Sequence, residues 1–324
     1  MSEKKQLKIG ILTSGGDAPG MNAAIRSVVR TANHWGIRAY GIKTGYEGLF
    51  EGAVDEIDPE DVSGIIHRGG TILRTARCMQ MMTEEGQQKA AEIIKILRLD
   101  AIVVIGGDGS FRGAHALSKL GVNVMAIPAT IDLDMECTDY TIGFDTAVNT
   151  AADAIARIRD TSSSHERCSV VEVMGRDAGY LALWCGMVGG AEEVLIPENP
   201  IDTNSVIEQV LYNRSQGKHH NLIVVAEGVG NSYALAKEIE RVLGIEARAT
   251  VLGHFQRGGT PTARDRMHAT VMGYTAVKGI HSGEKNKAVV YRGGRHVFMD
   301  IDEALNAQKE YSPEMYDITK ILAI

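Results

Sequence analysis

The chain has 324 residues, 44% of them apolar and 5% aromatic, which suits one large packed core or two smaller ones and excludes a disordered chain. Its formal charge of −7 is interrupted by no basic block, so the electrostatics favour neither a nucleic acid nor an anionic membrane surface, and small molecules are the expected partners. Four cysteines, Cys78, Cys137, Cys168 and Cys185, stand far apart without CxxC spacing, which argues against a zinc site or a disulfide framework and fits a reducing compartment.

The N-terminal MSEKKQ leads directly into the strand-like LKIGIL and leaves no room for a signal peptide. No apolar run approaches the roughly 20 residues that span a bilayer, so the expectation is a cytoplasmic protein. From there, short β-branched runs alternate with helical periodicity. Strands are expected at Ile9–Leu12, Ala101–Ile105, Val124–Ile127, Val170–Val173 and Leu222–Ala226, and helices over Met21–Asn33, Thr83–Leu97, Thr146–Asp160 and Asn204–Asn213. This rhythm is that of βαβ units, an α/β chain with parallel sheets covered by helices. No low-complexity linker divides it, so composition alone marks no domain boundary.

Two strand ends look alike. IGILTSGGDAPGMNAAI and IVVIGGDGSFRGAHAL both run from an apolar strand through Gly-Gly-Asp to a helix, a local pseudo-repeat. Gly15-Gly16 and Gly106 to Ser110 offer bare backbone N–H groups where a helix dipole also favours an anion, the usual phosphate cradle. Neither is a Walker A loop, since no Gly-Lys-Ser/Thr follows, and GxGxxG fits poorly. Asp108 adds a carboxylate that can support a phosphate-bound Mg²⁺, or simply close an Asx turn. Between the two loops, RGGTILRTAR (Arg68–Arg77) supplies cations able to oppose charge on a transferring phosphate, with Arg77 as candidate.

Further along, Pro128-Ala-Thr-Ile-Asp-Leu-Asp134 follows an apolar run and puts Asp132 and Asp134 on a loop. Two acids two apart can divide base and metal support, although turn formation alone also uses such pairs. A second basic set comprises Arg167, Arg176 in VMGR, Arg248, and His254 with Arg257 in LGHFQRGG. Against a net negative chain this clustering suggests an anion pocket. His254 and Arg257, three apart, can share one face of a turn and grip a phosphate monoester.

Taken together, these residues resemble the bacterial-type ATP-dependent 6-phosphofructokinases. TSGGDAPGMNAAIR, VVIGGDGS, TDYTIGFDTA, RDTSSSHER, VEVMGR and LGH-x-QRGG occur in that family's order, from about Lys8 to the last helix near Ile324. The resemblance implies the phosphofructokinase fold, two Rossmann-like three-layer domains with mainly parallel sheets. Residues 1–143 plus about 256–306 would bind ATP, and 144–255 plus about 307–324 the sugar phosphate. It implies transfer from MgATP to the 1-hydroxyl of fructose 6-phosphate, in glycolysis. Gly16, Tyr46, Arg77, Cys78, Gly107, Asp108, Gly109 and Ser110 would line the ATP site, with Asp108 supporting Mg²⁺. Asp132 would be the base, acting with Arg77, Thr130 and Arg176. Thr130, Asp134, Met174, Gly175, Arg176 and Glu227 would hold the sugar phosphate and transferring group, and His254 and Arg257 the 6-phosphate. Arg167 and Arg248 would reach into a neighbouring subunit's site, which implies a homotetramer. An effector site for ADP or phosphoenolpyruvate is matched at Arg26, Arg30, Arg159, Glu192 and Lys218.

Diphosphate-dependent relatives place an acid at the position of Gly109 and a lysine at that of Ala129, so ATP is the expected donor. The chain also departs from its own group. Where the family reads Gly-Thr-Ile-Asp-Asn-Asp, this chain has Ala129 and Leu133. If position 129 needs a positive φ, alanine there costs about 1 kcal/mol. Met82 replaces a base near the nucleotide, and Pro59, Gly64, Gln216 and His219 replace charges around the effector site, so blunted allosteric control is expected. Three rivals remain: a diphosphate-dependent sugar kinase, a catalytically weak phosphofructokinase-like regulatory subunit, and a nucleotide-binding oxidoreductase. The last lacks the acid expected about 20 residues beyond its first glycine loop, near Gly41.

Overall fold

A computed structural model describes residues 6–200, 202–308 and 313–323; residues 309–312 and 324 of the C-terminal stretch lie outside it. In chain order the first elements are β1 (Lys8–Ser14), α1 (Met21–His34), β2 (Arg38–Ile42), α2 (Glu47–Glu51), β3 (Val54–Glu56), α3 (Glu84–Ile96), β4 (Ala101–Gly106), α4 (Asp108–Lys119), β5 (Val124–Thr130) and β6 (Ile142–Gly143). There follow α5 (Phe144–Ser164), β7 (Cys168–Val173), α6 (Tyr180–Gly189), β8 (Glu193–Leu195), α7 (Thr203–Ser215), β9 (Asn221–Ala226), α8 (Ser232–Leu243) and β10 (Ala247–Val251). The chain closes with α9 (Ala263–Ser282), β11 (Lys287–Arg292), β12 (Arg295–Asp300), α10 (Ile301–Asn306) and α11 (Glu314–Leu322), and 3-10 turns occupy Gln80–Met82 and Gly253–Arg257.

These elements form two compact units. The first comprises Met1–Thr130, Met135–Asp145 and Arg257–Lys309, the second Ile131–Asp134, Thr146–Gln256 and Glu310–Ile324. The loop Ile131–Asp134, which lies inside the 1–143 segment, clusters with the second unit.

In the first unit the strand order is β12-β11-β5-β4-β1-β2-β3, with β6 beside β5. The central pairs are parallel; only β2/β3 and β11/β12 run antiparallel. Strand side chains alternate between faces. Leu12, Ile102, Val104, Val124 and Ala126 pack with Ala90 and Ile94 of α3 and Phe111 and Leu117 of α4. On the opposite face Met125 meets α9, since a Cβ at Gly279 would lie 3.2 Å from its Cε. Gly273 of α9 has no room for a side chain against Ala24 and Ser27 of α1, so these two helices share the second covering layer. Helix, sheet and helix thus make three layers.

The second unit carries a wholly parallel sheet in the order β10-β7-β9-β8. Cys168, Val170, Ile223, Val225 and Ala247 pack with Val206 and Val210 of α7 and Ala236 and Ile239 of α8. The other face is closed by α6, where a Cβ at Gly186 would strike Val194. In both sheets the order reverses around one central strand, β1 in the first and β7 in the second. Open α/β sheets bind ligands at the carboxyl ends beside such a reversal.

Candidate active site

At the carboxyl end of the first sheet, Ser14, Gly106 and Pro128 stand side by side in register. The two glycine loops therefore start as neighbours, and side chains tie them together. Ser110 Oγ donates to the Ser14 carbonyl at 2.9 Å, and Tyr46 Oη donates to the Ser110 carbonyl at 2.8 Å. Burial pushes the Tyr46 phenol well above its ordinary pKa, so it remains a donor. The loops differ at their helices. Gly107 is the N-cap of α4, whereas α1 begins only at Met21, after Gly20, so Gly15-Gly16 do not abut a helix start.

Asp108 opens α4, where its carboxylate takes a 2.8 Å bond from Arg112 Nε, one turn on. Sequence reasoning missed Arg112, although its i,i+4 spacing from Asp108 was the available signal. No group of three or more His, Cys, Asp or Glu able to hold a metal occurs among the described residues. A single carboxylate at a phosphate cradle suits a metal carried by the phosphates, with most ligands supplied by the nucleotide and water.

The segment before Arg77 is pinned over these loops. Asn22 Nδ2 donates to the carbonyls of Arg68 and Gly69, its Oδ1 accepts from Ile72 N, and Thr13 Oγ1 donates to the Arg74 carbonyl. Thr75 Oγ1 closes the contact on the Gly15 carbonyl at 2.6 Å, which carries the exposed Arg77 past the first glycine loop. Cys78 is half-buried. Burial and the Glu47 hydrogen bond push its thiol up to about 11, which favours the protonated form near neutral pH. Met79 and Met82 are 74% and 77% exposed, a flexible apolar surface beside that loop.

β5 continues through Pro128 and Ala129 to Thr130, whose Cβ would stand 3.6 Å from a Cβ placed on Gly107. Asp132 is 6% exposed in the loop that follows. Position 129 requires no positive φ, so the conditional cost of alanine there does not arise: Ala129 is an ordinary buried strand residue. It is Leu133, between the two acids, that adopts the left-handed conformation, at φ 55°.

The second sheet builds its own cluster at the ends of β7, β9 and β10. Glu227 Oε1 accepts the backbone N–H of Arg176 at 2.7 Å and of Gly175 at 3.2 Å, which fixes the turn after β7. The turn is tight: Gly175 has φ 141° and Arg176 φ 57°, and the Arg176 guanidinium is left exposed. Gln256, fully buried, accepts the Met174 N–H at 2.8 Å and so holds the start of this turn. His254 is exposed on the adjoining 3-10 turn. Arg257, three residues on, turns to the first glycine loop, where Nη1 donates to the Asp17 carbonyl at 3.3 Å.

Arg167 and Arg248 meet on one carboxylate. Glu246 takes Arg167 Nε at 2.5 Å and Arg248 Nη2 at 2.6 Å, and both cations hold its pKa below the ordinary glutamate value. Glu246 was also missed, though the spacing Glu246-x-Arg248 along a strand puts both on one face.

Residues 8–280 match the family model described as Phosphofructokinase. The chain is 55% identical over 315 residues to the ATP-dependent 6-phosphofructokinase of Clostridium botulinum, covering 97% of this chain and 99% of the relative. The chain belongs to the phosphofructokinase family. Its fold is that of solved phosphofructokinases: TM-score 0.86 and 34% identity to the Saccharomyces cerevisiae structure, 0.89 and 32% to that of Pichia pastoris in the T-state, each covering 98% of this chain. This phosphofructokinase spans 48% of the former chain and 36% of the latter.

The residues expected at the effector site fall into two sets. Arg26 and Arg30 lie one turn apart on α1, where burial and mutual repulsion lower the Arg26 pKa. In the second unit, Glu192 lies 2.8 Å from Lys218 Nζ and 3.9 Å from Arg159 Nη2. Arg159 Nη1 also donates to the carbonyls of Gly189 and Gly190.

Proposed function

We propose that this phosphofructokinase is an ATP-dependent 6-phosphofructokinase of glycolysis, transferring the γ-phosphoryl group of MgATP to the 1-hydroxyl of fructose 6-phosphate. The observation that carries the reading is the junction at the end of β5. Thr130 lies against the second glycine loop, and the buried Asp132 follows two residues later in the chain. A buried acid on the chain just beyond a strand end that abuts a phosphate-holding loop is the kind of group that can take the proton of an acceptor hydroxyl.

The Asp132 carboxylate accepts the proton of the 1-hydroxyl as that oxygen attacks the γ-phosphorus. The new O–P bond forms, the bond from phosphorus to the β,γ-bridging oxygen breaks, and ADP leaves with the electron pair. Such transfer asks mainly for positioning and charge neutralisation, so Asp132 needs hydrogen-bond reach rather than unusual basicity. Thr130 and Asp134 flank the acceptor. The exposed cations Arg77 and Arg176 oppose negative charge on the transferring group, while Glu227 holds the backbone of the Met174–Arg176 turn. Gly16, Gly107, Gly109 and Ser110 hold donor phosphates, Tyr46 and Cys78 border the nucleotide, and His254 with Arg257 takes the 6-phosphate. Mg²⁺, when bound to the nucleotide beside Asp108, supplies further charge neutralisation. The Asp108–Arg112 pair is exposed, and such i,i+4 pairs contribute only about 0.3–0.5 kcal/mol, so it opens at little cost.

Arg167 and Arg248 are read as reaching a neighbouring subunit's site in a cytoplasmic homotetramer, released from Glu246 when they engage sugar phosphate. No helix among the described residues is long and apolar enough to cross a membrane.

A coupled assay of fructose 1,6-bisphosphate formation, with ATP, GTP or diphosphate as donor, tests the reading. ATP is expected to support turnover and diphosphate not, and Asp132→Ser should lose about 10²–10⁴ in kcat. Turnover with diphosphate alone would select the diphosphate-dependent alternative. No turnover with any donor would select the regulatory-subunit reading.

A further inference from the structure

Gly16 and Gly69 lie on different loops, and neither has a positive φ, so backbone conformation does not account for the missing side chain at either. What surrounds them does. A Cβ at Gly16 would lie 2.2 Å from Nη1 and 3.0 Å from Cζ of Arg257. A Cβ at Gly69 would lie 2.3 Å from the carbonyl oxygen of Gly259. One glycine thus sits under the guanidinium and the other under the backbone of the same short segment, Arg257-Gly258-Gly259. Both seats are firm, because Asn22 Nδ2 holds the Gly69 carbonyl at 3.2 Å and Thr75 Oγ1 holds the Gly15 carbonyl at 2.6 Å. Other glycines of the site show the contrast: a Cβ on Gly109 or Gly258 would meet nothing within 4 Å.

We infer that Gly16 and Gly69 are positioning residues for Arg257, so that two glycines on the donor-side loops set the guanidinium that grips the acceptor's phosphate. This rests on the proposed role of Arg257 toward fructose 6-phosphate. Gly16 therefore has a second duty beyond baring its N–H to a nucleotide phosphate, and Gly69 acquires a role through its contact with the Arg257 turn. The two substitutions differ in kind. An added methyl at Gly16 strikes the far end of a flexible side chain, which moves aside and leaves the fold intact. One at Gly69 strikes a backbone carbonyl and must displace the turn. Misplacement of a positioned group by about 1 Å can cost on the order of 10²-fold.

The test measures calorimetric binding of fructose 6-phosphate without nucleotide, together with KM for fructose 6-phosphate and for MgATP. It compares the full-length protein with Gly16→Ala, Gly69→Ala, Arg257→Ala and the Gly16→Ala/Arg257→Ala double variant. Gly16→Ala and Gly69→Ala are each expected to weaken sugar-phosphate binding about tenfold or more. In the Arg257→Ala background, Gly16→Ala should add less than about twofold. Unchanged sugar-phosphate binding in Gly16→Ala, or a loss that persists in full without Arg257, overturns the inference, and this cycle decides the matter if Gly69→Ala does not fold. Should Arg257→Ala leave binding unchanged, the phosphate role of Arg257 fails and the inference with it. A wild type that binds fructose 6-phosphate but turns over no donor removes the proposed reaction and leaves the positioning result standing.

Discussion

Leu133 carries the backbone strain of the loop that follows β5. It is the one residue from Pro128 to Asp134 with a positive φ, at 55°, and its side chain is buried. A left-handed conformation costs an ordinary L-residue about 1–2 kcal/mol, and asparagine tolerates it better because its short polar side chain bonds locally. Burying a leucine side chain contributes about 1.5–3 kcal/mol. Burial wins, so Leu133→Asn should lower stability by about 0.5–2 kcal/mol in thermal or denaturant unfolding. If the amide supplies one added hydrogen bond in the transition state, kcat should rise by no more than about tenfold. A variant more stable than the native chain would show that the backbone strain exceeds the worth of the buried side chain. Which residues carry acids, cations and glycines was legible from the sequence at this scale. The location of the strain was not, because φ is set by the path of the loop and not by the residue that occupies it.

At the scale of elements, the central strands and long helices were legible because buried parallel strands read as continuous apolar runs. The runs Ala101–Ile105 and Leu222–Ala226 sit inside β4 and β9, and the periodicity of Met21–Asn33 marks α1 to within one residue. The edges were not. β12 reads RHVFMD, a polar and apolar mixture without a fully buried face, and β8 has three residues. Partners distant in sequence were equally invisible, as with Gly69 and Gly259 or Met174 and Gln256. The packing of α9 against β11 and β12 is another such case. His268, buried on α9, stacks on Tyr140 with ring centroids 4.0 Å apart and lies 3.0 Å through Nδ1 from His296 Nε2, with Tyr291 edge-on. Asp265, Asp145 and Arg264 complete its polar surroundings. Burial first, then His296 and Arg264, push His268 down to about 4. The folded chain therefore keeps this imidazole neutral, while an unfolded chain protonates it below about pH 6.5. The unfolded state binds the extra proton between pH 6.5 and 4, so stability falls as pH drops through that window and levels off below it. One such group contributes a slope of at most about 1.4 kcal/mol per pH unit. His268→Phe, which keeps the ring contacts, should flatten the fall in apparent Tm across this range. Parallel profiles for the variant and the native chain would exclude His268 as the source.

For the molecule as a whole, the proposed response to an anionic effector turns on how many cations remain available to it. In the second unit, Lys218 Nζ is 2.8 Å from Glu192, which is only 2% exposed, and also donates to the Ala323 carbonyl. Arg159 donates to two backbone carbonyls, at 2.5 and 2.8 Å. Both cations are thus already committed, and an anion must compete with internal partners for them. Gln216 and Pro59 add no charge, and Gly64 is an open position at φ 67° with no neighbour within 4 Å of a would-be side chain. His219 contributes its backbone carbonyl to Arg214 instead. On the proposed effector reading, these two second-unit cations offer phosphoenolpyruvate or ADP little net attraction, and a ligand shifts an equilibrium only by its differential affinity for the two states. Allosteric couplings of ordinary size are about 1–3 kcal/mol, or 5–150-fold in affinity. Here saturating phosphoenolpyruvate should raise the half-saturating fructose 6-phosphate concentration by less than about threefold, with a nearly hyperbolic curve at fixed MgATP. Placing charge back should strengthen the response: Gln216→Lys adds a cation two residues from Lys218 without touching Glu192. Strong inhibition of the native chain with a steeply sigmoidal curve would show that Arg159 and Lys218 leave their internal partners readily, and that the missing charges do not limit the effector's grip.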